Sequence, residues 1–378
     1  MRRYDLDWLR VLVFGLLIVY HVGMFFVPWG FHIKNNEIYE WLVWPMRFLN
    51  QWRLPILFVI SGMGTWFALN KRSGREYAYE RVKRLFLPLF VGMLLIVPPQ
   101  VYFERIAYGQ FTGSYPEFWL GPAFDGVYPE GNTSWHHLWF LPYLLTYSLA
   151  LFPVFLYLKN NPESRFISRV RKTASNPAAI FVFIIPLFFI EVYVKPHFPV
   201  THALTDDWYT FTFYIILFFY GFLFISVKDD FWKTVLGYRK LYLIAGVACF
   251  GIYFLVRTYP ENFLFTHFAE ALIKTVNLWA WILTLFGYAA FWLNKGSRML
   301  TYCNEAVYPF YILHQTITIT IGYFLMNSEM GFLLKFLIMI TGTFGICFIL
   351  YEFVIRRIVF MRPLFGLKVE SAFDNKQN

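Results

Sequence analysis

Runs of about 20 apolar residues, each long enough to carry a helix across roughly 30 Å of hydrocarbon, recur along nearly the whole chain. The pattern predicts ten spans, at about 9–28, 45–69, 86–106, 136–158, 178–196, 208–227, 241–259, 268–293, 306–327 and 332–355. The expected fold is all-α: a polytopic membrane protein with one transmembrane domain over residues 1–360 and a short, polar, loose cytoplasmic tail over 361–378. Lysine and arginine fall unevenly between the loops. One side, which holds the N-terminus and the tail, carries roughly 24 of them and the opposite side about five. That asymmetry puts both termini in the cytoplasm, and its alternation requires an even number of spans. No internal repeat is visible, so an inverted-repeat transporter finds no support.

Composition narrows the class. A chain of 378 residues could hold two soluble domains, but 58% apolar and 23% aromatic residues with only 15% charge make the lipid bilayer its partner. The net charge of +10 does not call for nucleic acid, because the basic residues sit in short loops between spans, where the positive-inside rule accounts for them. Cys249, Cys303 and Cys347 are scattered in or beside apolar spans without metal spacing, so neither a metal nor a disulfide is expected. The start, MRRYDLDWLR, holds two carboxylates and lacks a small-residue cleavage site after the apolar run; it reads as a retained first span.

That span, Leu6 to Phe26, carries Arg10 and His21. Eleven residues at about 100° each make three turns plus roughly 20°, so the two side chains share one face about 16 Å apart along the axis. An ionisable residue inside a membrane is costly and points to function. The plainer alternative has Arg10 reaching to the headgroups and His21 bonding a neighbouring helix. Two residues on one stripe favour function.

Other polar positions add to this. The first cytoplasmic loop, NKRSGREYAYERVKRLFLP, contains Arg81 and Arg84, whose guanidinium groups suit phosphates; ordinary positive-inside charge is the alternative. The stretch 107–135, rich in glycine, proline and aromatics, suits a sugar-like ligand or an interfacial belt. His136 and His137 follow at the mouth of the fourth span. Neighbours on a helix point about 100° apart, so the two are read as interfacial or acceptor-side residues and not as a metal site. Arg47 and Arg53 flank the run into LPILFVISG, and Glu191 lies in the fifth span. Glu270 and Lys274, spaced i,i+4 in the eighth, are expected to pair with each other. His314 lies mid-span in the ninth, near the kink allowed by Pro309.

A histidine at depth, an arginine three turns closer to the cytoplasm and an arginine cluster at that surface suggest a line. Coenzyme A thioesters fit it, with phosphates at one end and a narrow arm that crosses half a bilayer. His21 then acts as general base on an acceptor hydroxyl or is transiently acylated. Serine nucleophile motifs, a Gly-rich phosphate loop and H-E-x-x-H are missing from the sequence.

The ordered set Arg10-x10-His21, LFVISGM before Arg81-x-x-Arg84, HHLWFL and YPFYILHQ, spread over residues 4 to about 355, resembles the acyltransferase-3 family of membrane proteins, close to its glucan succinyltransferase branch. The resemblance implies about ten helices, no bound cofactor, and acyl-CoA as co-substrate taken from the cytoplasm. It implies an acceptor on the far side of the inner membrane, commonly a glycan or cell-envelope molecule. It also implies an essential role for His21 and donor handling by Arg10, Arg81 and Arg84. His314, His136, His137, Arg47 and Arg53 remain supporting or acceptor-side candidates. No hydrolase-like domain is expected after the last span, and a partner protein, if transfer needs one, would be encoded elsewhere. The rival class is a transporter or scaffold that uses the same polar path without acyl chemistry. Acyl group, acceptor and oligomeric state are not written in the sequence.

Overall fold

Backbone with no water to bond must satisfy itself, and helices do so within one segment. The computed structural model, which describes residues 2–257 and 264–369, is accordingly all-α. Its helices in chain order are α1 Tyr4–Met24, α2 Val43–Leu69, α3 Gly74–Val91, α4 Pro98–Ala107, α5 Tyr115–Leu120, α6 Phe140–Ala150, α7 Phe152–Asn160 and α8 Arg165–Ala174, followed by α9 Ile184–Phe189, α10 Trp208–Ser226, α11 Lys228–Gly237, α12 Arg239–Val256, α13 Leu264–Trp292, α14 Arg298–Leu325, α15 Phe332–Ile349 and α16 Met361–Leu364. Among the described residues the one β feature is an isolated bridge between Val127 and Thr133.

Among the described residues, seven helical stretches are long and apolar enough to cross a membrane, or eight when the bent pair α6–α7 counts as one span. The protein is a polytopic membrane protein. Two of the ten expected spans do not meet that length and composition, for two physical reasons. The fifth predicted segment is helical over Ala179–Val194 but short, and the ninth lies in α14, whose helix carries Asn304, Glu305, His314 and Gln315. The fourth span is continuous in the sequence pattern, yet it bends by 49° at the α6–α7 junction, where Pro153 opens the second helix. The end of the seventh predicted span, at 258–259, and residues 370–378 of the expected tail lie outside the described residues.

The chain forms two units. One comprises Met1–Val13, Phe48–Glu80 and Tyr143–Leu300. Its tightest crossing is between α2 and α10, where a Cβ on Gly62 would lie 1.9 Å from the Phe218 carbonyl and one on Gly221 would lie 1.9 Å from the Val59 carbonyl. The two backbones touch, as small residues permit in membrane helices. Trp279, fully buried on α13, donates to the Ile180 carbonyl at 2.9 Å. Glu270 and Lys274 do not pair with each other as their spacing suggests. Lys274 reaches Glu191 at 3.4 Å and Glu270 faces Arg257 at 3.7 Å, because the buried Glu191 carboxylate draws the ammonium more strongly than a half-exposed neighbour does.

The second unit comprises Phe14–Arg47, Arg81–Pro142 and Thr301–Asn378. Val22, Phe25, Phe26, Ile33, Ile319, Leu325 and Met339 form its apolar core. Lys335 is buried and donates to Asn35 Oδ1 at 2.7 Å and Asn36 Oδ1 at 3.0 Å. The tail is not loose at its start. Arg362 is buried and donates to Glu305 at 3.3 Å and to the Arg356 and Lys368 carbonyls at 3.0 and 2.7 Å.

Candidate active site

The second unit collects the histidines. α1 delivers His21 near its C-terminus and then turns sharply. The Phe25 and Phe26 amides donate back to Val22 and Gly23, and the Asn35 amide donates to the Phe25 carbonyl. The Lys34 ammonium caps this end by donating to the Met24 and Val27 carbonyls, a favourable place for a cation. Burial lowers its pKa to about 8. The returning loop brings His32 beside α4.

His21 meets His314 of α14, Nδ1 to Nε2 at 2.8 Å, with the rings stacked at 4.9 Å. His314 is fully buried, and its Nδ1 donates to the carbonyls of Tyr311 at 2.8 Å and Phe310 at 3.2 Å. A carbonyl cannot donate, so Nδ1 of His314 holds the hydrogen and its Nε2 accepts in the neutral ring. His21 therefore donates through Nδ1, and its own Nε2 carries the lone pair. The hydrogen-bond pattern assigns one tautomer to each ring.

A second cluster adjoins the first. α4 opens with Pro98 and Pro99, residues suited to a helix start, and so fixes Gln100 and Glu104 four residues apart on one face. His32 Nδ1 donates to Glu104 Oε2, and Tyr128 donates to Oε1 at 3.0 Å. Burial and that carboxylate push the Tyr128 phenol up. Gln315 splits its amide between His32 Nε2 at 3.2 Å and Gln100 Oε1 at 3.1 Å. Gln100 in turn donates to Thr316 at 2.7 Å and to His137 Nδ1 at 3.3 Å. His137, buried, donates from Nε2 to the Ile312 carbonyl at 3.0 Å, and its ring lies 5.2 Å from that of His314. The turn Gly92–Ile96 is wound as a wide π turn, and the Thr316 hydroxyl takes its Ile96 carbonyl at 2.6 Å.

The two adjacent histidines thus serve different neighbours. His136 packs its ring on His32 at 4.5 Å and Tyr128 at 4.6 Å, with a positive φ of 39° and a buried Nε2 that has no hydrogen-bond partner among the described residues. Arg105 clamps the loop over this cluster by donating to Asn132 Oδ1 at 2.9 Å and to the Pro129 and Gly131 carbonyls, both at 2.8 Å. Five histidines stand in this unit, yet among the described residues no group of three or more His, Cys, Asp or Glu is arranged to hold a metal ion.

The arginines are distributed. Arg81 and Arg84 both act electrostatically on Tyr308, whose hydroxyl donates to the Arg84 carbonyl at 2.8 Å; the Arg84 guanidinium donates to the Gly366 carbonyl at 3.3 Å. Arg10 faces Asp7 at 3.7 Å. Arg47 lies over the Trp44 ring at 5.3 Å, and Arg53 is almost wholly buried. His32, Glu104, Gln100, Gln315 and Tyr128 are site residues that the sequence reading does not contain. The i,i+4 spacing of Gln100 and Glu104 beside two prolines is the one local sign of them.

A profile described as an acyltransferase domain matches residues 3–352. The chain belongs to the acyltransferase 3 family. It is also similar to glucans biosynthesis protein C of Escherichia coli, 26% identical over 388 residues that cover 99% of this chain and 97% of that one. The protein of the same name from Shigella dysenteriae is likewise 26% identical, with the same coverage. No solved structure matches. An acyltransferase domain implies transfer of an acyl group from a donor to an acceptor.

Proposed function

We propose that this membrane acyltransferase moves an acyl group from a coenzyme A thioester, taken at the cytoplasmic face of the inner membrane, to a hydroxyl of a glycan or cell-envelope acceptor on the far side. The observation that carries the reading is the anchored hydrogen bond from His21 Nδ1 to His314 Nε2, which leaves the lone pair on His21 Nε2. In the reaction the acceptor oxygen attacks the thioester carbonyl while His21 Nε2 takes its proton. The C–O bond forms, the C–S bond breaks, and the proton passes to the departing thiolate. Protonated His21 still donates to His314, so the ring keeps one orientation through both steps. The name of the similar glucans biosynthesis proteins supports a glucan-like acceptor.

Arg81, Arg84 and Arg10 are assigned to the donor. Their guanidinium groups suit its phosphates, and Arg10 lies on the helix that carries His21. The test is thiol release and product formation from a panel of acyl-CoAs, acetyl and succinyl included, by the purified protein in lipid. His21→Ala and His21→Gln should both lose transfer by at least about 10²–10⁴-fold while still binding acyl-CoA. Arg81→Ala with Arg84→Ala should raise the donor KM, each lost phosphate contact costing about 1.5–3 kcal/mol. An active His21→Gln enzyme would remove the assignment, and substrate moved without thiol release would favour a transporter.

A further inference from the structure

The first unit contains a charged cavity that takes no part in this chemistry. It has a volume of about 300 Å³ and is lined by Glu191, Lys195, Pro196, His267, Glu270 and Lys274. Glu191 is its anchor. Its carboxylate accepts from Tyr209 on Oε1, while Lys195 at 2.7 Å and Lys274 at 3.4 Å converge on the same Oε2. Two ammonium groups therefore share one negative charge. Glu270 also lines the cavity and acts on Lys274 from a distance, but its ion-pair contact is with Arg257 at 3.7 Å, so only Glu191 touches both lysines. His267 forms part of the wall, its Nε2 donating to the Val192 carbonyl at 3.1 Å.

Two like charges drawn to one oxygen repel each other, and a second anionic oxygen between them would relieve that repulsion. Each ammonium has three donors, of which the contact with Glu191 uses one. The surroundings suggest where the anion comes from. Tyr193 and Phe189 on one side and Leu272 on the other are exposed apolar residues on the helices that line the cavity, and in a membrane protein such residues meet acyl chains. The Lys195 side chain remains 35% exposed, so the cavity can be reached. We propose that this cavity binds an anionic phosphate oxygen, delivered by a phospholipid headgroup whose chains lie along Tyr193 and Leu272. The proposal is independent of the acyl-transfer reading.

The experiment follows thermal unfolding of the full-length protein in detergent during titration with phosphatidylglycerol, phosphatidylcholine or inorganic phosphate. Phosphatidylglycerol should raise Tm in a saturable manner, and phosphatidylcholine, whose choline cation is repelled by the two ammonium groups, should do so far less. Lys195→Gln leaves Glu191 paired with Lys274 and Tyr209, so it should fold and bind phosphatidylglycerol about tenfold more weakly, the loss expected of one charge-assisted hydrogen bond. Lys195→Arg keeps the charge and should keep most of the response. Protection by inorganic phosphate that competes with phosphatidylglycerol would give the same chemistry a soluble source. Equal shifts with both lipids, or an unchanged response in Lys195→Gln, would overturn the proposal.

Discussion

A carbonyl oxygen three residues back on its own helix holds the Nδ1 hydrogen of His314, and the behaviour of His21 follows from that bond. His314 touches no reacting atom in the proposed chemistry; it is a positioning residue. His314→Ala removes the acceptor for His21 Nδ1, so kcat should fall by about 10²-fold or more with the donor KM little changed. His314→Gln can accept from His21 Nδ1 through Oε1 and should recover part of that loss. Single-turnover assays with each variant check the split. A second imidazole, His202, reports on stability instead. It lies in the loop before α10, where its backbone amide donates to Asp207 at 2.8 Å. Burial lowers its pKa to about 4, with Asp207 opposing the shift. An unfolded histidine titrates near 6.5, at about the ordinary value. Between those values the unfolded chain holds more protons, so the contribution is fully present above about 6.5 and is lost as pH falls through 4. Unfolding temperature should fall from pH 7 to pH 4.5, less steeply in His202→Asn.

Between helices, the reciprocal contact of Gly62 and Gly221 sets how close α2 and α10 can come. Gly62→Ala or Gly221→Ala puts a methyl into a carbonyl of the partner helix and should leave little monodisperse protein after extraction. Gly15 provides the contrast. No atom lies within 4 Å of the Cβ it would gain, so Gly15→Ala should be neutral or stabilising by about 0.5–1 kcal/mol through helix propensity. Size-exclusion profiles and unfolding temperatures separate the cases. Elements of this kind were legible from the sequence where the signal was local. Apolar runs marked the helices, and the Arg10–His21 spacing holds along the unbroken α1. Signals that depend on distant partners were not. Lys274 left its helical neighbour for Glu191, 83 residues away, and the His32–Glu104 pair spans 72 residues. No window of sequence contains either bond. The bend between α6 and α7 was hidden for another reason: hydropathy records apolarity, not direction.

At the scale of the whole chain, the asymmetry of lysine and arginine gives orientation, and it can be checked directly. Reporter fusions at the N-terminus and after residue 369 should both report the cytoplasm, and one within 107–135 should report the opposite side. The histidine pair has a further consequence, in time. His21 and His314 are 293 residues apart, and Arg362, later still, anchors the end of the chain to Glu305. A ribosome making this protein inserts His21 first and completes its partner almost last, since contacts distant in sequence form late. Throughout synthesis the first helix sits in the bilayer without the neighbour that fixes its tautomer. On the proposed chemistry, a half-made chain would hold the base without the neighbour that orients it.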